Sequence, residues 1–79
     1  MDFLLAFGSA HRALKADSVL RESSVPFRIL PAPRALEPYC ELVIMVKDEC
    51  LGMAKGALEN AGLAPKTIYR KEGDEYVKM

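Results

Sequence analysis

Two short runs of consecutive apolar residues constrain the fold of this 79-residue chain most. Residues 3–7 read Phe-Leu-Leu-Ala-Phe, and residues 42–46 read Leu-Val-Ile-Met-Val. Neither run approaches the roughly 20 apolar residues that a membrane-spanning helix needs. A short run with no polar residue on either face is typical of a strand that is covered on both sides. The sequence therefore predicts two central strands of one sheet.

Each of these strands is followed by a segment with helical spacing of its apolar residues. Ser9 is placed to cap the first helix with its hydroxyl, and Ser23 and Ser24 end that helix. Asp48 is the N-cap predicted for the second helix, and Gly62 lies just past its C-terminal end. The residues predicted to face the core from the two helices are Ala10, Ala13, Leu14, Ala16, Leu20, Cys50, Leu51, Ala54, Ala57, Leu58 and Ala61.

Further strands are predicted at residues 25–30 and 67–70, with a short fifth strand at 76–77. The order strand, helix, strand, strand, helix, strand predicts an α+β ferredoxin-like βαββαβ sandwich. In that fold two helices cover one face of an antiparallel sheet with the spatial order 4-1-3-2. This order makes the two apolar strands central, in agreement with their composition. The whole chain, residues 1–79, is predicted to form one domain.

Charge and cysteine content exclude several function classes. Eleven Lys and Arg residues balance eleven Asp and Glu residues, which argues against nucleic-acid binding through phosphate contacts and against a polybasic membrane anchor. Two cysteines and one histidine are too few for a Cys-rich zinc site or a disulfide scaffold, so no metal or cofactor is expected. The first five residues carry an acid where a signal peptide has Lys or Arg, so we expect a cytoplasmic location.

The predicted topology brings together the residues with the clearest chemical potential. The first helix starts where the first strand ends, and the antiparallel third strand begins at that same edge. Ser9, His11, the proline-containing loop at 31–39 and Cys40 are therefore expected at one end of the molecule. Helix N-termini carry partial positive charge and unpaired N–H groups, which stabilise a thiolate and lower the pKa of a cysteine below about 8.5. Arg34 and a protonated His11 would add to this effect.

Other interpretations of the same residues stay open. A free cysteine is often a small buried hydrophobe, and the neighbouring Glu37 and Glu41 would raise the pKa of Cys40. His11 and Arg34 can equally be ordinary surface residues. Cys50 is predicted to pack in the core at the opposite end of the sheet, too far from Cys40 for a disulfide, whose Cα atoms must lie within about 7 Å.

Three motifs in order make the chain similar to a known family. Residues 7–17 read Phe-Gly-Ser-Ala-His-Arg-Ala-Leu-Lys-Ala-Asp, residues 31–34 read Pro-Ala-Pro-Arg, and Cys40 follows. Over about residues 2–70 the chain resembles the selenium/sulfur (Se/S) carrier-like proteins, small bacterial domains of unknown function. The resemblance implies a carrier in which Cys40 holds sulfur or selenium as a persulfide or perselenide, with His11 and Arg34 at the other motif positions.

The first hypothesis is therefore a sulfur or selenium carrier, or a thiol-transfer accessory protein, rather than a self-sufficient enzyme, since no general acid–base pair is visible. Cys40 is the acceptor, His11 and the helix start at Ser9 stabilise its thiolate, and Arg34 meets an anionic donor or partner. The expected partners are a donor such as a cysteine desulfurase and an acceptor protein.

The alternative is a non-catalytic regulatory or dimerisation module that binds a small ligand or a protein through its loop or its sheet face. Leu4, Ala6, Val43 and Met45 are predicted on the sheet face that carries no helix. Because an exposed apolar patch usually needs a cover, a homodimer is also expected.

Overall fold

The sheet has the strand order that the two apolar runs predict. The structure, a computed structural model, describes residues 1–33 and 42–79. Its sheet is antiparallel throughout, in the order β2-β3-β1-β4-β5. The α+β ferredoxin-like prediction is confirmed, with the fifth strand extending the sheet beyond β4. The elements are β1 (Asp2–Ala6), α1 (Ala10–Glu22), β2 (Arg28–Pro31), β3 (Leu42–Lys47), α2 (Asp48–Asn60), β4 (Thr67–Glu72) and β5 (Glu75–Lys78).

The main core lies between the sheet and the two helices. Strand residues alternate between the two faces, so Phe3 and Leu5 of β1 and Ile44 of β3 point towards the helices. They pack against small and medium side chains of the helices, and Leu20 and Leu58 have no exposed surface. Burying an aliphatic side chain of this size contributes about 1.5–3 kcal/mol to stability. The remaining buried members of this cluster are Phe7, Ala13, Ala16, Val25, Val46 and Ala54.

A second core covers the sheet face that has no helix. Leu4, Ala6 and Val43 are almost completely buried there, and Met45 is half-buried. The prediction that these four residues form an exposed patch is therefore wrong. Side chains of the neighbouring strands reach the same face: Tyr69 of β4 is buried with them, and Leu30, Ala32 and Tyr76 pack against the cluster.

The first helix begins as predicted but buries a narrower face. The Ser9 hydroxyl accepts a hydrogen bond from the backbone N–H of Arg12 at 3.2 Å, and the Ser9 carbonyl accepts from Ala13 at 3.1 Å. The helix ends at Glu22 with Ser23 as its C-cap. Leu14 was expected in the core, yet it is 55% exposed. The buried residues of this helix, Ala13, Ala16 and Leu20, lie along one line of the helix, and Leu14 is turned about 100° away from Ala13.

The second helix begins one residue earlier than the sequence predicts. Lys47 occupies the N-cap position and makes no side-chain capping bond, while Asp48 is already helical. The prediction of Asp48 as N-cap is wrong, although Asp48 and Glu49 in the first turn still interact favourably with the helix dipole. Ala61 is the exposed C-cap rather than a core residue, and Gly62 follows it with φ 71° as expected of a glycine at this position.

The second strand is shorter than the sequence predicts, because the residues before Arg28 follow the C-terminal end of α1 and do not pair with β3. The Val25 N–H donates to the carbonyl of Leu20 at 3.0 Å, and Pro26 has no N–H to offer a neighbouring strand. Pairing therefore starts at Arg28, opposite Met45. At the other end of the strand, Pro31 pairs with Leu42, so this first proline of the predicted loop belongs to the sheet.

Candidate functional site

One end of the sheet gathers the segments that the sequence singles out. We call it the α1 end and define it by Ala6 and Pro31, where β1 and β2 finish, and by Leu42 and Thr67, where β3 and β4 begin. Ala6 pairs with both Val43 and Thr67, and Pro31 pairs with Leu42. The start of α1, the end of β2 and the start of β3 therefore lie at the same end. The predicted position of Cys40 at this end stays a prediction, because residues 34–41 lie outside the described part of the chain.

A glycine turn connects β1 to α1 at this end. Gly8 has φ 82°, a conformation that L-residues with a Cβ rarely adopt. A Cβ at Gly8 would lie 3.3 Å from Cδ of Lys66, so the Lys66 side chain passes close over this turn. The Lys66 backbone also contacts the end of β1, because its N–H donates to the Ala6 carbonyl at 2.8 Å. The β3–α2–β4 half of the chain thereby places a cation beside the start of α1.

The helix start forms one wall of a shallow hollow of about 380 Å³. Arg12 and Lys66 line it together with Gly8 and Ser9, and both cationic side chains belong to exposed residues. No acidic residue occupies the first turn of α1. The first N–H groups of a helix lack intrahelical acceptors, and the helix dipole adds roughly half a positive charge there. This end of the described structure is therefore suited to a negatively charged group.

The predicted site residues divide into two groups. Ser9 is the N-cap of α1, and His11 is exposed in the first turn, so both lie at the α1 end. Cys40 and Arg34 lie outside the described residues. Sequence reasoning missed Lys66, although the signal was available: it immediately precedes Thr67, and the predicted topology starts β4 at the same end as α1.

Cys50 occupies a different environment at the opposite end of the sheet. It is a free cysteine in the first turn of α2, is half-buried, and packs against the main core. These contacts agree with the prediction that Cys50 packs against the core. Phe27, Arg28 and Cys50 help to line a cavity of about 680 Å³ at that end.

Residues 1–33 and 42–79 contain no group of three or more His, Cys, Asp or Glu side chains arranged to hold a metal ion. Within those same residues, no helix combines the length and the apolar character needed to cross a membrane.

The fold and the α1 end together define a class of protein: a small α+β domain that presents an uncompensated helix N-terminus and exposed cations at one end of a ferredoxin-like sheet. A sequence model of the family described as putative Se/S carrier protein-like matches residues 2–70, and the chain belongs to that family. The match includes both helices and ends within β4. Comparisons with curated proteins and with solved structures give no match.

Proposed function

We propose that this protein carries sulfur or selenium on Cys40 as a persulfide or perselenide. Membership of the Se/S carrier-like family over residues 2–70 supports the carrier role. The position of Leu42, which opens β3 at the α1 end, supports the choice of cysteine. Cys40 precedes Leu42 by two residues, and an extended chain spans at most about 3.6 Å per residue. The reach of Cys40 from this end of the sheet is therefore about 7 Å along the backbone.

The charges at the α1 end favour the reactive form of such a cysteine. Arg12, Lys66 and the N-terminus of α1 all contribute positive potential there. In the proposal, Ser9 orders the helix start, His11 adds positive charge when protonated, and Arg34 meets the anionic donor. A cysteine in electropositive surroundings titrates below its usual pKa of about 8.5, so more of it is thiolate at neutral pH.

Loading proceeds by exchange between two sulfur atoms. The Cys40 thiolate attacks the terminal sulfur of a persulfide on a donor protein such as a cysteine desulfurase. A new S–S bond forms at Cys40 while the S–S bond of the donor breaks, and the electron pair of the broken bond leaves with the donor's cysteine sulfur as a thiolate. The terminal sulfur keeps its oxidation state, so no external oxidant or reductant is needed. The same exchange, with Cys40 as the leaving group, delivers the sulfur to an acceptor protein.

Two single-thiol variants test the proposal directly. Cys50→Ala leaves Cys40 as the only thiol, and Cys40→Ser leaves Cys50. After incubation with a cysteine desulfurase and cysteine, mass spectrometry should show an adduct of about 32 Da on the wild type and on Cys50→Ala. Cys40→Ser should show none. Alkylation of Cys50→Ala by iodoacetamide against pH should give an apparent pKa below about 8.5.

Two results would refute the carrier role. One is a folded Cys50→Ala protein that neither acquires the adduct nor reacts with iodoacetamide. The other is an adduct that persists in Cys40→Ser, because it would place the transferred sulfur on Cys50. An apparent pKa of 8.5 or higher would leave the carrier without its electrostatic mechanism.

The proposed setting is a reducing cytoplasm, where both thiols stay free. The alternative is a regulatory or dimerisation module that binds through its loop, most of which lies outside the described residues, or through the helix-free sheet face. Leu4 and Val43 are buried within the single chain, so they are not exposed on that face for a partner. The homodimer stays a prediction, which analytical ultracentrifugation tests, and no feature of the buried face favours it.

A further inference from the structure

A second hollow adjoins the one at the start of α1. It has a volume of about 340 Å³ and lies between α2, β4 and the end of β5. Lys66 lines both hollows, so the two adjoin and are described together as one surface. We call this surface the basic rim and define it by its four cationic residues, Arg12, Lys55, Lys66 and Lys78.

The basic rim carries positive charge without acidic partners in the described structure. Among the residues that the structure describes, no Asp or Glu lines either hollow, and all four cationic residues are exposed. The ion pairs of residues 1–33 and 42–79 join Asp17 to Arg21 and Arg70 to Glu72, away from the rim. The acidic residues concentrate at the other end of the sheet. There the β4–β5 turn holds Glu72, Asp74 and Glu75.

Among the described residues, the rim thus groups four cations without an acidic lining residue, whereas the other end of the sheet holds both acidic residues and the cations Lys47 and Lys71. The net charge of zero excludes long-range attraction of a polyanion, but it does not exclude a local positive surface. The rim also has apolar members: Leu51 and Ile68 are half-buried, and Met79 is 63% exposed. Cationic side chains around apolar ones are the complement of an acidic protein surface that has its own apolar residues.

We propose that the basic rim docks an acidic surface of the partner protein with which this chain exchanges sulfur. The inference deepens the proposed function and rests on it only for the identity of that partner as donor or acceptor. The four cations come from α1, α2, β5 and the residue before β4, which spreads them over a surface rather than converging them on one small anion. Among the described residues, Phe7 is the one aromatic residue that lines the two hollows, and it is 3% exposed, so it offers no platform for stacking a nucleic-acid base.

Docking at the rim would orient the partner towards the site. Arg12 and Lys66 belong both to the rim and to the hollow beside Ser9. A partner held by these cations approaches the α1 end, where the Cys40-bearing segment joins β3. Electrostatic docking of this kind raises the association rate and weakens as salt is added.

The test uses the full chain, labelled with ¹⁵N, and a short peptide composed of Glu and Leu as the acidic probe. We expect chemical-shift changes at residues that line the rim, such as Arg12, Leu51, Lys66 and Ile68, and tighter binding at low ionic strength. The double variant Lys55→Gln/Lys66→Gln should weaken binding about fivefold, as expected for the loss of two exposed charge contacts. The control Lys47→Gln/Lys71→Gln removes the same charge at the other end of the sheet and should leave the affinity unchanged.

Three outcomes would overturn the docking proposal. They are equal binding of a peptide with Lys in place of Glu, equal weakening by the control variant, and tighter binding of a single-stranded oligonucleotide than of the acidic peptide. The titration is repeated with Cys40→Ser, which should bind as the wild type does. A carrier that fails to load sulfur on Cys40 therefore gives a different result from a rim that fails to bind the acidic peptide.

Discussion

Replacing Gly8 by alanine tests the geometry of the α1 end. Gly8 has φ 82° and lies in the turn that connects β1 to Ser9, the N-cap of α1. Placing a residue with a Cβ in this left-handed region costs about 1–2 kcal/mol. The new Cβ would also lie 3.3 Å from Cδ of Lys66. That contact adds a smaller cost, because the Lys66 side chain is flexible and exposed.

The expected loss is large enough to measure by thermal unfolding. For a domain of this size, 1 kcal/mol lowers the melting temperature by roughly 4–8 °C, so Gly8→Ala should lower it by roughly 5–15 °C. Gly62→Ala is the matched control, because Gly62 has φ 71° and no atom lies within 4 Å of an added Cβ. The difference between the two variants measures the contact with Lys66. The double variant Gly8→Ala/Lys66→Ala should remove that difference. A melting temperature of Gly8→Ala equal to that of the wild type would refute the turn geometry described for the α1 end.

Two further substitutions test the helices. Gly52 is exposed within α2, and nothing lies within 4 Å of an added Cβ. Gly52→Ala should therefore raise the free energy of unfolding, measured by urea denaturation, by about 0.5–1 kcal/mol. A loss of stability would contradict that open environment. Leu58→Ala should cost about 2–5 kcal/mol because Leu58 is fully buried. Leu14→Ala, the same change at a 55% exposed position, should alter stability by no more than about 0.5 kcal/mol in the same denaturation experiment. Equal effects of the two leucine substitutions would contradict the assignment of the core.

The two central strands could be predicted from the sequence because uninterrupted apolar runs must be buried on both faces. The runs at 3–7 and 42–46 have no polar side chain to expose, so they must occupy the middle of a covered sheet. Ser9 is predictable for a similar reason, since a helix start leaves unpaired N–H groups that a hydroxyl can satisfy. Asp48 shows the limit of that reasoning. Its carboxylate can interact with the α2 dipole from inside the first turn as well as from the cap, and the sequence does not separate these two positions.

The covered sheet face was missed because it depends on several strands at once. Leu30, Tyr69 and Tyr76 are each the one apolar residue that a strand of mixed composition contributes to this face. Only the register places them on the same face as Leu4. The absence of helices on one face therefore did not mean the absence of a core there. Leu14 was wrongly predicted for a different reason. Its helical spacing is compatible with the core, but the buried face of α1 is narrow and consists of Ala13, Ala16 and Leu20.

The location of the candidate site was predictable, whereas the hollow that its two cations share was not. Strand order and direction alone place the start of α1, the end of β2 and the start of β3 together. Arg12 and Lys66 are far apart in the sequence, and each looks like an ordinary surface cation. Their shared hollow depends on the close passage of Lys66 over Gly8, which is a property of the folded turn.

The two helix starts of the molecule differ in a way that bears on the proposed chemistry. Asp48 and Glu49 neutralise the positive end of α2 from within its first turn. The first turn of α1 contains no acid, and Arg12 and Lys66 add further positive charge beside it. A chain selected for helix stability alone would gain about 0.3–1 kcal/mol from each carboxylate placed at that start. Among the described residues, the start of α1 therefore keeps a positive charge that a thiolate or persulfide on Cys40, as proposed above, would balance.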